Sequence, residues 1–110
     1  MATETLKVLS QTAPGATTLT DSYTVPALTQ AAVSSIVVCN RSGSDATFRV
    51  SVAVAGAADA TKQYVYFDLT IPANDTFIAT VGVSLGAADV VRVYASSANL
   101  SFSVFGAEVT

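Results

Sequence analysis

The chain has no histidine, no tryptophan, one cysteine and one methionine among 110 residues. Each gap removes a class of chemistry. Without histidine there is no Ser-His-Asp or Cys-His relay, no imidazole general base and no His-ligated metal. Cys39 stands alone, which excludes an intrachain disulfide and a thiolate cluster. Set in an apolar run, it reads as a small core side chain rather than a reactive thiol. Charge is scarce as well: Asp, Glu, Lys and Arg make up 12% of the sequence, about half of the ~25% usual in soluble domains. The five basic residues, Lys7, Arg41, Arg49, Lys62 and Arg92, are scattered, with no two adjacent. They build neither the phosphate-neutralising stripe that nucleic acids require nor a polybasic membrane patch, so neither partner is expected. No apolar run approaches the ~18 residues of a membrane-spanning helix. Residues 1–10, with Glu4 and Lys7, lack the apolar core of a signal peptide. The expectation is a soluble chain made in the cytoplasm.

What is present is mostly small and apolar. Hydrophobic residues make up 51% and the net charge is −3. One domain accounts for the length, and such a chain supports a core without staples. A small monomer needs surface charge to stay dispersed. The shortage here points to a surface covered in part by further copies, hence a homo-oligomer, with Ser and Thr as the other source of solubility.

Turn signals recur roughly every 8–12 residues with no helical period. Residues 5–10 alternate weakly, as a short strand or an arm ordered on a neighbour, before the Pro14-Gly15 turn. Residues 17–25, rich in Thr and Tyr, read as a strand ended by Pro26, which cannot donate to a ladder. Residues 32–40 are the most β-prone and least charged run. There Ile36, Val37, Val38 and Cys39 are apolar on both faces, which predicts an inner strand covered on both sides. Asn40 to Asp45 is a polar hairpin turn. Residues 47–54 alternate cleanly, with Phe48, Val50, Val52 and Val54 inward and Thr47, Arg49, Ser51 and Ala53 toward solvent. Residues 63–71 place Val65, Phe67, Leu69 and Ile71 on one face and Tyr64, Tyr66 and Asp68 on the other.

Phe77, Ala79, Val81, Val83 and Leu85 line one face of residues 76–85, with Gly82 a candidate bulge. Two further strands follow, the second burying Leu100, Phe102 and Val104. The Gly-Ala-Ala-Asp tetrapeptide at 56–59 and 86–89 reads as reuse of a turn rather than an internal repeat. The whole pattern predicts an all-β fold. Residues 17–110 form an antiparallel β-sandwich of seven or eight short strands, jelly-roll-like or immunoglobulin-like, after an N-terminal arm or short edge strand over residues 1–16.

Carboxylates are the remaining catalytic groups, as a pair in the manner of glycosidases. Asp21, Asp45, Asp59, Asp75 and Asp89 lie in or beside turns, where Asp bonds its own backbone. No Asp-x-Asp spacing supports a calcium loop. No catalytic residue, metal ligand or cofactor is expected. Asp68 stands apart, inside a strand beside Tyr64 and Tyr66, with Arg49 or Arg92 as a cross-strand partner. Tyr64, Tyr66, Asp68 and Tyr94 are the candidate interface or ligand face: a packed tyrosine row, or an aromatic platform for a carbohydrate. The Asn-x-Ser/Thr sequons at Asn40, Asn74 and Asn99 read as turn asparagines.

Tyr23-Thr-Val-Pro-Ala and Val33-Ser-Ser-Ile-Val-Val-Cys-Asn-Arg-Ser, followed by Thr47-Phe-Arg-Val-Ser-Val, together resemble small virion structural proteins of tailed bacteriophages. The similarity continues through Gln63-Tyr-Val-Tyr-Phe-Asp, Asn74-Asp-Thr-Phe and Ser101-Phe-Ser-Val-Phe-Gly, and so covers most of the chain. It departs after Pro26-Ala27, where Leu28-Thr29-Gln30 replaces a Gly-Lys turn. The resemblance implies a non-enzymatic building block of the virion, present in many copies on capsid, neck or tail. Its expected partners are further copies of itself, as a trimer, and other virion proteins. It transfers no catalytic residue. The alternative is a receptor- or glycan-binding module of a phage tail, using Tyr64, Tyr66 and Tyr94.

Overall fold

The structure, a computed structural model, describes residues 3–110. Met1 and Ala2, the start of the expected arm, lie outside the described residues. Eight strands follow in order: β1 Glu4–Thr12, β2 Thr20–Thr24, β3 Gln30–Asn40, β4 Ala46–Ala53, β5 Tyr64–Ile71, β6 Thr76–Leu85, β7 Val90–Ala95 and β8 Leu100–Val109. Two short 3-10 turns, Val54–Gly56 and Thr61–Gln63, lie between β4 and β5. The strands build two four-stranded sheets, β1-β8-β3-β6 and β2-β7-β4-β5, and every ladder is antiparallel. The expected all-β sandwich is what the chain forms. Its pairs nest, β1 with β8, β2 with β7, β3 with β6 and β4 with β5. That is one long hairpin rolled up, a jelly roll rather than an immunoglobulin topology. Residues 4–12 are its first edge strand, paired with β8 from Glu4–Val109 to Thr12–Phe102.

β3 lies between β8 and β6, hydrogen-bonded on both sides. Its faces divide differently from the simple alternation. Both ladders slip between Val33 and Ser35, and this bulge puts Val33 on the same inner face as Ile36 and Val38. Those three are buried. Val37 and Cys39 instead point outward and stay half-buried. Neither is a core residue, and the strand is covered on one side only.

The two sheets meet on an aromatic cluster. Phe48 and Tyr66 come from the second sheet, Phe77 and Phe102 from the first. The Phe48 ring lies 5.5 Å from Phe77, 6.0 Å from Phe102 and 6.2 Å from Tyr66, in the tilted and edge-on geometries that ring quadrupoles favour. Val50 is fully buried beside it, and Val52 packs against the same core from a half-buried position.

β5 carries the main correction. Phe48 and Val50 of β4 oppose Leu69 and Tyr66, and Val50 and Ser51 oppose Tyr66 and Tyr64, so β5 holds one extra residue at each of two slips. Asp68, at φ 51°, takes the left-handed conformation of a bulge residue. The extra residue at Asp68 inverts the faces just before it, and the second slip returns Tyr64 to the side of Phe67. Tyr66 turns inward against Phe48 and Phe77, and Phe67, expected in the core, is 57% exposed. β4 departs at its end too. Val54 leaves the sheet in a 3-10 turn and is exposed, while Ser51 and Ala53, expected in solvent, are fully buried.

One end of the sandwich is tied by Asn40, which is 1% exposed. Its Nδ2 donates to the carbonyls of Ser44, Ile71 and Pro72 at 2.9, 3.3 and 3.1 Å, and its Oδ1 accepts from the N–H and Oγ of Ser42. The turn after β3 is thereby locked to the turn after β5. The two Gly-Ala-Ala-Asp segments differ in backbone: positive φ falls on Gly56 in one and on Ala88 in the other. They are not a structural repeat.

Candidate functional site

On the outer face of the second sheet, the ladders set Tyr94 of β7 beside Arg49 of β4, and the β5 bulge places Phe67 and Asp68 across from it. Arg49 is the centre. Its Nε donates to Asp68 Oδ1 at 2.6 Å and its Nη2 to Oδ2 at 3.2 Å, the two-pronged geometry that suits a planar guanidinium. The same guanidinium lies 4.2 Å from the Phe67 ring centroid and 4.4 Å from that of Tyr94, a cation held between two π faces. Tyr64 meets Phe67 edge-on, centroids 5.0 Å apart at 85°, and its hydroxyl donates to Asp59 at 3.1 Å.

Of the four residues singled out in the sequence, the fold brings Tyr64, Asp68 and Tyr94 together. It sends Tyr66 into the core. Arg49, one of the two partners expected for Asp68, is the one that pairs with it; the residue that sequence reasoning missed is Phe67 as the exposed ring. The one signal for it was a charged residue, Asp68, set between Phe67 and Leu69 in a run that otherwise alternates.

Electrostatics here fix charge rather than tune it. The Asp68 hydrogen bond holds Arg49 protonated well beyond its ordinary range, and burial together with the Asp59 hydrogen bond pushes the Tyr64 hydroxyl up. Neither group titrates near neutrality, so neither serves as a proton shuttle. Next to this cluster, Arg92 is bound to Asp21 at 2.9 Å and to the carbonyls of Ala57 and Gly56. That arginine fastens the β4–β5 connection to the sheet.

The outer face of the first sheet is of another kind. Its cross-strand rows run Leu6–Ala107–Ala32–Ser84, Val8–Phe105–Ser35–Thr80, Gln11–Ser103–Val37–Ile78 and Ser101–Cys39–Thr76. None of these four carries a charged side chain; a fifth row at one corner of the face, Glu4–Val109–Gln30, brings a single carboxylate. Leu6, Val8 and Ile78 are 78%, 47% and 66% exposed. The nearby ions face the other way: Lys7 pairs with Glu108 at 3.2 Å, and Glu108 accepts a 2.5 Å hydrogen bond from the Tyr23 hydroxyl of the opposite sheet.

No protein-family model matches the chain, and no curated protein does. The surfaces are therefore read from their own geometry. A shallow cleft of about 390 Å³ opens between Gln30, Ala31, Ser84, Leu85, Gly86 and Val109, whose side chains include no ionisable group. Among the described residues, no three His, Cys, Asp or Glu side chains gather where they could hold a metal.

Proposed function

We propose that this chain is a non-enzymatic building block of a bacteriophage virion, working as a homo-oligomer whose first-sheet outer face is covered by another copy. The observation that carries the reading is the absence of charge across four successive cross-strand rows of that face, Glu4 standing alone at its corner. Apolar Leu6, Val8 and Ile78 stand on a flat ground of Ser, Thr and Ala. A dry contact is costly wherever it strands a charge, and these four rows on a second copy bring none, while Glu4 lies at the rim. At ~4.8 Å between strands and ~3.3 Å per residue, the face measures roughly 20 by 25 Å, the scale of a modest subunit contact. Faces turned toward a common three-fold axis give a trimer, and faces turned toward each other give a dimer.

The resemblance to small phage virion proteins supplies the setting. Jelly rolls recur in viral capsids and in lectins, an analogy of fold that carries no function alone.

Size-exclusion chromatography with light scattering tests the reading. The wild type is expected to run as a discrete oligomer at micromolar concentration, and Ile78→Lys as a folded monomer. Cys39, half-exposed in the single chain, is expected to react with a thiol reagent faster in that variant. A wild-type chain that stays monomeric, or one missing from purified phage particles by mass spectrometry, overturns the proposal.

A further inference from the structure

We infer that the outer face of the second sheet is a binding platform for a neutral hexopyranose ring, stacked on Phe67 and oriented by Arg49 and Asp68. The site lies on the opposite sheet from the proposed subunit contact and does not depend on it.

The first observation is a large aromatic ring that is both exposed and fixed. Phe67 is 57% exposed, yet Arg49 lies over it at 4.2 Å and Tyr64 abuts it edge-on at 5.0 Å. A ring already immobilised loses little entropy when a ligand stacks on it. Arg49 takes one face of the ring, and a ligand stacking on the other meets the negative side of the π quadrupole. That face suits the C–H bonds of a pyranose, which neighbouring oxygens leave slightly positive.

The second observation is the charge balance. Arg49 and Asp68 cancel each other, as do Arg92 and Asp21 beside them. Asp59 lies beyond the Tyr64 hydroxyl; the charges against the Phe67 ring itself cancel, which favours neither phosphate nor ammonium there, so the ligand is neutral.

The third is hydrogen-bonding capacity. Asp68, with its side chain 44% exposed, uses each oxygen once toward Arg49 and keeps further lone pairs. Arg49 has N–H groups beyond the two it gives to Asp68. A donor and an acceptor held side by side on a rigid frame match adjacent sugar hydroxyls. The left-handed Asp68 is the device that builds the site. Its bulge turns Phe67 outward at the cost of a backbone conformation that non-glycine residues seldom adopt, and such strain gathers at ligand sites. None of the cluster lines the shallow cleft described above, so the ring is bound on an open surface, as part of a longer saccharide.

The test is titration of the isotope-labelled protein, followed by amide NMR, with methyl glycosides of glucose, galactose, mannose and N-acetylglucosamine and with their neutral oligosaccharides. At least one probe is expected to give saturable shifts, on the order of millimolar, confined to residues 47–51, 64–70 and 92–96. Phe67→Ala is expected to weaken that binding roughly tenfold, the equivalent of ~1.4 kcal/mol, with an unchanged melting temperature. Asp68→Asn keeps the bulge, because Asn tolerates the left-handed region, and is expected to weaken binding as well. Glucuronate and glucosamine are expected to bind no more tightly than glucose. Ile78→Lys, on the other sheet, is expected to bind as the wild type does. The inference is overturned by no saturable shift with any probe, by shifts centred elsewhere, by equal affinity in Phe67→Ala, or by preference for a charged sugar.

Discussion

A single added methyl group at Gly106 is expected to damage this fold more than most core truncations. Gly106 lies in β8 opposite Lys7 of β1 and Val33 of β3. A Cβ at that position would overlap the carbonyl oxygen of Ala32, sit 3.0 Å from its carbon and approach Leu9 Cδ1 at 3.1 Å. The obstacle is backbone on a neighbouring strand, so no side-chain rotation relieves it. β8 is an inner strand, and moving it off β3 drives it toward β1. Stretching or losing several ladder bonds at ~1 kcal/mol each, together with the overpacking itself at ~1–3 kcal/mol, gives a total of roughly 3–5 kcal/mol. A domain of this size loses about 4–6 °C of melting temperature per kcal/mol, so Gly106→Ala is expected to melt at least roughly 12 °C lower. The assay is thermal unfolding followed by circular dichroism, with Gly82→Ala as the control, because a Cβ there meets nothing within 4 Å. Adding Leu9→Ala to Gly106→Ala is expected to restore little. A fall under about 3 °C, or full rescue by Leu9→Ala, refutes the backbone clash.

Three further outcomes follow from the same geometry. Asn40→Asp replaces a donor aimed at three carbonyls with a buried carboxylate, a change worth about 3–5 kcal/mol. Its melting temperature at neutral pH should fall sharply and recover in part as the carboxyl protonates; equal stability at both pH values counts against the assignment. Val38→Asp should yield no soluble folded protein, whereas Val37→Asp should fold with native circular dichroism and lose the oligomer, so equal behaviour of the two variants argues against the β3 bulge. Glu108 is held below its ordinary carboxylate value of 4.5, first by the Tyr23 hydroxyl and then by Lys7. The folded state therefore takes up this proton at lower pH than the unfolded chain does. The contribution is complete above the unfolded value and disappears as pH falls through the folded one. Below about pH 4.5 the wild type should lose melting temperature more steeply than Glu108→Gln, and parallel slopes dispose of the linkage.

Strand positions and the sandwich are legible in the sequence because alternation and turn chemistry agree along most of the chain. The faces are less so, because each bulge shifts the alternation by one residue. In β3 the sign was present: Val33 and Ile36 are three apart, a spacing that a regular strand cannot bury on one side. In β5 the equivalent spacing, Tyr66 to Leu69, was hidden by Phe67, which looks like core and is turned outward by Asp68. Asn40 misled for a different reason. A polar residue at a turn is usually solvated, and only the backbone carbonyls converging from another turn reveal that this one is buried and satisfied. The candidate cluster was half legible, since Asp68, two tyrosines and a choice of Arg49 or Arg92 could be picked out, but which arginine joins them is fixed by register across three strands.

Charge in this molecule is not thin everywhere; it is placed. Two of its three ion pairs among the described residues lie on the outer face of the second sheet and the third closes an end. Apart from Glu4 at one corner, the first sheet keeps a neutral face, and at its opposite margin runs β6, an edge strand of 10 residues from Thr76 to Leu85. That strand contains no charge and no proline, the two commonest guards against edge-to-edge pairing. Its ladder with β3 slips between Thr80 and Val83, which interrupts the edge. A long neutral edge beside a neutral face associates either without limit or into a closed set of copies. The two outcomes separate by dilution. A closed oligomer holds one size until it dissociates to the monomer in a single step, and substituting Thr80→Lys in β6 shifts that step to higher protein concentration. Continuous growth with concentration, unaffected by Thr80→Lys, sinks the argument that this sheet is built to be covered.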